Sequence, residues 1–208
     1  TSGTSEFSAT KMKLGVLLEY EHVSLGLNAS PGYTLQRDWS YSTVTQTVDA
    51  SDTENKAGKD EFKAPLSYAA GLCLKPVEAF KIAFDFRKNL YRDAEFQLAS
   101  QETDTTHRGW VDQLMWSVGV EFKPINGLSL LAGYRYLPEV FVPDGAAIKD
   151  RGPAAEGVTF GVSLMLFYGR FDIAYEIRKM QYYDSYLSNT NYMLEKSDYL
   201  RFGYTIML

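Results

Sequence analysis

The chain predicts an all-β fold, an antiparallel up-and-down transmembrane β-barrel, organised as one domain over residues 1–208. Three observations predict it. Apolar residues recur at every second position through nearly all of the chain. Short and long connections follow one another in turn. Charges and glycines gather on one face of the strands, while the other face is apolar.

The strands follow in order. Leu14–Tyr20 and Val23–Ala29 each alternate, and the Tyr- and Thr-rich stretch Tyr33–Val48 continues the second strand beyond an irregularity at Pro31-Gly32. Phe62–Leu74, Phe80–Leu90 and Leu114–Phe122 come next. In Leu128–Tyr136, Leu130, Ala132, Tyr134 and Tyr136 alternate with Ser129, Leu131, Gly133 and Arg135. Val158–Leu166, Phe171–Ile177 and Tyr199–Leu208 complete a count of nine. Such alternation, rich in β-branched and aromatic residues, marks strands with two unlike faces. No segment carries a helical period.

Tight turns are expected at Glu21-His22, Lys75–Ala79, Lys123–Gly127 and Tyr168-Gly169, and long polar loops at Asp49–Asp60, Ser100–Gly109, Pro138–Ala155 and Tyr182–Ser197. Tight turns on one side and long loops on the other are the stringing of an outer-membrane barrel.

Which face is inside follows from three features. Gly15, Gly26, Gly71, Gly119, Gly133, Gly161 and Gly203 share the face of Glu19, Lys63, Lys81, Asp85, Arg87, Glu121, Arg135, Asp172, Glu176, Arg178 and Arg201. Glycine suits the concave side of a bent sheet, which makes the charged face the lumen. Aromatic residues near strand ends supply two interfacial girdles, drawn from Tyr20, Tyr33, Trp39, Tyr41, Tyr68, Trp110, Phe122, Tyr134, Tyr136 and Tyr168. The apolar runs have the length of about 9–11 residues that a tilted strand needs to cross a bilayer. A soluble lipocalin-like carrier also alternates, but it would bury Trp116 rather than turn it to lipid.

Composition excludes several functions. With 21 Lys+Arg against 26 Asp+Glu the net charge is −5, which argues against nucleic acid as a partner. One cysteine, Cys73, permits no internal disulfide or cysteine zinc cluster, and two histidines, His22 and His107, permit no histidine-rich metal site. Neither histidine stands near an activating carboxylate on a strand face, so no Ser-His-acid arrangement and no enzyme is expected. The acidic stretches Asp49–Glu61 and Asp93–Glu102 lack the spacing of a calcium loop. No cofactor and no metal is implied.

Parity bears on the whole. Bacterial single-chain barrels have an even strand count. Nine strands ending toward the periplasm would start Thr1 outside the cell, so the chain reads as the C-terminal portion of a larger barrel. Ser5–Thr10 or part of Tyr33–Val48 as a tenth strand is the alternative.

Several stretches carry a family resemblance: MKLGVLLEY (Met12–Tyr20) with VSLGLNAS (Val23–Ser30), APLSYAAGLCL (Ala64–Leu74) ahead of Phe80–Arg87, and SVGVEFKPINGLSLLAGYRY (Ser117–Tyr136). Phe141-Val142-Pro143 follows, and Tyr199–Leu208 closes the chain. In these the chain resembles the FadL/TodX-type outer-membrane long-chain fatty-acid transporters. The resemblance implies a fourteen-stranded barrel with an N-terminal hatch, of which the hatch and five strands lie upstream of Thr1. It implies passive uptake of hydrophobic small molecules such as long-chain fatty acids, residence in the bacterial outer membrane, and contact with the bilayer and, during biogenesis, the assembly machinery. The closing Leu208 departs from the aromatic that usually ends such barrels.

The lumen residues Lys81, Arg87, Arg135, Arg178 and Arg201 are the candidate anchors for an acidic headgroup, with Leu17, Leu131 and Met165 along its chain. The same face carries Glu19, Asp85, Glu121, Asp172 and Glu176, so mutual cross-strand ion pairs are the competing reading. A non-transporting barrel acting as surface antigen, adhesin or secretion-system scaffold is the alternative function.

Overall fold

A computed structural model describes residues 1–46, 51–99, 109–146, 148–166, 169–186 and 189–206. Thirteen strands run in chain order: β1 (Ser2–Ala9), β2 (Leu14–Glu19), β3 (Val23–Ser30), β4 (Tyr33–Gln46), β5 (Ser51–Ala64), β6 (Ser67–Val77), β7 (Phe80–Asn89), β8 (Glu95–Gln97), β9 (Gln113–Ile125), β10 (Leu128–Pro138), β11 (Ala154–Leu166), β12 (Gly169–Tyr186) and β13 (Asn189–Ile206). The one helical turn among them is a 3-10 turn at Tyr91–Asp93.

All pairings are antiparallel. The nine-stranded sheet has the order β13-β12-β11-β10-β9-β7-β6-β3-β2, the nine strands that the alternation marks out, except that Phe62–Ala64 and Tyr33–Gln46 belong to a separate sheet. It is a meander whose edges, β2 and β13, have no outer partner among the described residues. The sheet is the wall of an up-and-down transmembrane barrel.

A second, four-stranded sheet of order β1-β4-β5-β8 stands above the wall. Its strands prolong β2, β3, β6 and β7, and all four breaks fall at one height: 10–13, Pro31-Gly32, Pro65-Leu66 and 90–94. Pro31 and Pro65 cannot donate to a ladder, which is why the pairing lapses there. The seam is tied by the Ser30 hydroxyl donating to the Met12 carbonyl at 2.7 Å and the Leu90 N–H to the Leu66 carbonyl at 3.1 Å. Lys63 belongs to this upper sheet and pairs with Glu95 at 2.8 Å, which holds its ammonium above the usual lysine range.

The expected loop Asp49–Asp60 is corrected: its described residues from Ser51 onward form β5, paired with β4 from Gln46↔Ser51 to Tyr33↔Ala64. The expected loop Tyr182–Ser197 is corrected too, since β12 and β13 remain paired out to Tyr186↔Asn189. The described residues of Pro138–Ala155 form a loop except at its two ends, while 100–108 and 147 lie outside the described residues. Ser5–Thr10 largely falls in β1, a strand of the upper sheet and not a tenth member of the wall.

The wall has no conventional core. Its outward face shows Phe84, Val120, Leu130, Phe160, Ile173, Leu200 and Phe202, with Phe160 55% and Phe202 65% exposed. Residues that a soluble protein would bury are the contact surface for lipid. Trp116 lies on that outward face, 5.3 Å from Tyr134 and 5.9 Å from Tyr136, and Tyr68 lies 6.4 Å from Phe86. These rings form one belt, the upper girdle. Phe80 opposes Phe122, and Phe171 opposes Tyr204, near the tight-turn end. Tyr33, Trp39 and Tyr41 belong instead to the upper sheet, and Trp110 packs against Phe96 (5.1 Å) and Tyr91 (5.8 Å) beside the seam. Tyr168 lies outside the described residues.

Candidate functional site: the concave face

Register places the second residue set of every strand on the concave face. One row across the wall reads Leu17, Gly26, Gly71, Asp85, Ser117, Arg135, Gly157, Arg178. The next reads Ser24, Cys73, Ala83, Gly119, Gly133, Thr159, Glu176. Gly26 opposes Gly71, and Gly119 opposes Gly133. The missing side chains leave a trough whose floor is backbone. A Cβ built on Gly119 would meet only the Ala132 carbonyl, at 3.7 Å, so the space above it is open.

Two concavities lie end to end along the trough. The first, about 570 Å³, is lined on this face by Leu17, Asp85, Arg87, Met115, Arg135 and Leu137. The second, about 510 Å³, is lined by Lys81, Glu121, Leu131, Thr159, Asp172 and Ala174. Both are of the size that takes a small ligand.

Four of the five candidate cations are spoken for. Lys81 reaches Glu121 at 3.0 Å, and Glu121 also receives Lys123 at 3.4 Å and the Ser129 hydroxyl at 3.2 Å. Arg135 and Arg201 converge on Glu176, the latter at 3.5 Å. Arg178 reaches Glu195 at 3.4 Å, across to β13. Arg87 has no ion-pair or hydrogen-bond partner among the described residues. Its same-strand neighbour Asp85 turns toward Gly71, where a built Cβ would stand 2.7 Å from Asp85 Oδ1. Sequence cannot separate free from paired cations, because the decisive distances run between strands.

Of the apolar candidates, Leu17 lines the first concavity and Leu131 the second. Met165 lies apart from both, its backbone N–H bound to the Gly127 carbonyl (2.7 Å) at the tight β9–β10 turn. Sequence reasoning passed over Met115 and Leu137, which share the first concavity with Arg87. Their positions in the alternation place them on the concave side. His22 sits in the β2–β3 turn, with Nδ1 3.1 Å from the Lys75 carbonyl, and His107 lies outside the described residues. Cys73 is a free, half-buried thiol on the trough wall.

The wall, its outward apolar face and its small-residue trough define the fold of a transmembrane β-barrel. Two solved channels share that fold. The toluene transporter TodX of P. putida superposes with a TM-score of 0.58 at 18% identity, over 100% of this chain and 54% of TodX. CymD, a monoaromatic hydrocarbon channel, superposes with a TM-score of 0.56 at 14% identity, over 94% of this chain and 50% of CymD. The chain thus spans about half the length of either. The resemblance read from the sequence, to FadL/TodX-type transporters, is thereby met in the fold. No family model and no curated protein matches the sequence.

Proposed function

We propose that this chain is the C-terminal portion of an outer-membrane channel for passive uptake of hydrophobic small molecules, among them long-chain fatty acids. The observation that carries the reading is the trough, in which four of the five candidate cations are held by carboxylates and Arg87 alone of the five has no partner among the described residues. A hydrophobic solute would pass over a floor of uncharged glycine backbone at Gly26, Gly71, Gly119 and Gly133. An acidic headgroup would meet one free guanidinium at the end lined by Met115 and Leu137. The toluene and monoaromatic cargoes of the two solved channels support the hydrophobic class. A trough is also more than a scaffold or adhesin needs from its lumen.

The open edges support the partial-barrel reading. An unpaired strand edge in hydrocarbon leaves backbone N–H and C=O groups unsatisfied at several kcal/mol each. Strands beyond β2 and β13 would close the wall into a fourteen-stranded barrel with a hatch. The native polypeptide extracted from outer-membrane fractions should therefore have an intact mass near twice the 23.5 kDa of this chain. A mass equal to this chain would defeat the fourteen-stranded closure.

The channel reading is tested in cells carrying the native polypeptide. Gly119→Phe should fill the trough and lower uptake of both a long-chain fatty acid and toluene by about tenfold or more, while the folded electrophoretic mobility is kept. Arg87→Gln should lower fatty-acid uptake about tenfold, the scale of one lost charge-assisted hydrogen bond, and leave toluene uptake unchanged. Unaltered uptake in Gly119→Phe would refute transport through the trough. An equal effect of Arg87→Gln on both solutes would refute its role as headgroup anchor.

A further inference from the structure

We propose that the outward face carries a binding site for a phosphate-bearing lipid headgroup, formed by Arg151 and, in the row of the upper aromatic belt, by Lys179 and Lys196. The row that begins at Trp116 and Tyr136 continues through Glu156 and Lys179 to Lys196. Lys179 and Lys196 are directly opposed in the β12–β13 ladder, and both are exposed. Like charges in that position repel and destabilise a ladder unless an anion lies between them.

No such anion comes from the described residues. Among the described residues, Lys179, Lys196 and Arg151 have no ion-pair partner. The outward carboxylates at this height, Glu156 and Asp198, take part in no ion pair among the described residues and interact instead with Tyr134 and Tyr175. Lys88, on the same face, shows the ordinary arrangement and pairs with Asp112 at 3.3 Å. The unpaired cations are therefore local to this corner of the wall.

The corner is also shaped. A concavity of about 750 Å³ opens beneath the 139–153 loop, lined by Tyr136, Ile148, Arg151, Glu156, Lys179 and Tyr183. Directly below it Val158 opposes Ile177, both exposed on the apolar band. Acyl chains lying on Val158 and Ile177 would lift their headgroup to the height of the cations. Basic residues at that depth attract anionic headgroups, each worth about 1 kcal/mol near the surface. The apolar footing below favours a lipid over a free phosphate ion as the occupant.

The native polypeptide, purified in mild detergent and stripped of lipid, tests this by native mass spectrometry. The probes are bisphosphorylated lipid A, its dephosphorylated form and inorganic phosphate. Lipid A should be retained, and the other two should not. The double variant Lys179→Gln/Lys196→Gln should weaken lipid A retention by about tenfold or more, as expected for two interfacial cations. Lys179→Arg/Lys196→Arg should hold it, and Lys88→Gln should leave it unchanged. If the double glutamine variant loses the folded mobility, Lys196→Gln alone, at the solvated end of the row, supplies the reading. Retention by a folded glutamine variant equal to that of the unaltered protein would overturn the site. Inorganic phosphate binding as well as lipid A would overturn the lipid assignment.

Discussion

Replacing Glu176 by alanine is expected to destabilise the wall by about 2–3 kcal/mol, the largest loss from any single lumen charge. Glu176 is only 3% exposed, and its two carboxylate oxygens are divided between Arg135 and Arg201. Arg135 is held on one side by this carboxylate, and its Nε is buried with no hydrogen-bond partner among the described residues. The space for the arrangement comes from Gly157, where a Cβ would stand 3.1 Å from both Arg135 Cγ and Glu176 Oε1. Removing one member of a buried pair strands the other charge, at about 3–5 kcal/mol where burial is complete. Arg201 is 65% exposed and can turn to water, which trims the figure. Urea unfolding in lipid vesicles, followed by tryptophan fluorescence, reads the difference. The companion double variant Arg135→Met/Glu176→Leu removes charge and partner together and should cost less than Glu176→Ala alone. A shift below about 0.5 kcal/mol for Glu176→Ala would show that the triad adds nothing to the wall.

The wall was legible in the sequence because lipid writes on it. Each strand of the nine-stranded sheet meets hydrocarbon on one face and a wet lumen on the other, so side chains must alternate. Phe160 and Thr159, or Leu200 and Arg201, record that contrast residue by residue. Above the seam both faces are wet, and the contrast disappears. Ser51–Ala64 and Asn189–Lys196 are strands all the same, paired in the ladder with partners such as Ser42↔Asn55 and Tyr183↔Tyr192. Their polarity resembles that of loops, and period two reports the surroundings of a strand, not its existence. The glycine floor was legible for the same reason as the wall, since concavity restricts side chains on one face only. The pairing of lumen charges was not. Lys81 with Glu121, and Arg135 with Glu176, meet across strands 40 and 41 residues apart in sequence. Whether Arg87 is left over depends on how every other charge on the face is partnered.

The two faces can be told apart by a pair of arginines. Val162→Arg is expected to destabilise the protein in a bilayer by about 2–4 kcal/mol, the cost of a cation on the lipid face near mid-depth. Val162 opposes Leu130 on one side and Ile173 on the other, so apolar residues surround it in its row. The charged outward positions Glu156 and Lys179 lie several residues above, beyond the snorkelling reach of one side chain. Thr159→Arg, three residues away on the concave face, should cost under about 1 kcal/mol, because the guanidinium enters a wet trough. It would also stand beside Glu176, its opposite number on β12. A soluble barrel with its apolar face inside would give the same penalty to Val162→Arg in detergent-free buffer, and it would fold there. A wall built for lipid needs micelles or a bilayer to fold at all, and its Val162→Arg penalty should shrink as the charge is moved along β11 toward Val158, nearer the upper girdle. Urea titrations of Val162→Arg, Val158→Arg and Thr159→Arg in vesicles give that depth profile. A flat profile, or Thr159→Arg costing more than Val162→Arg, would place the charged face outside and the apolar face within.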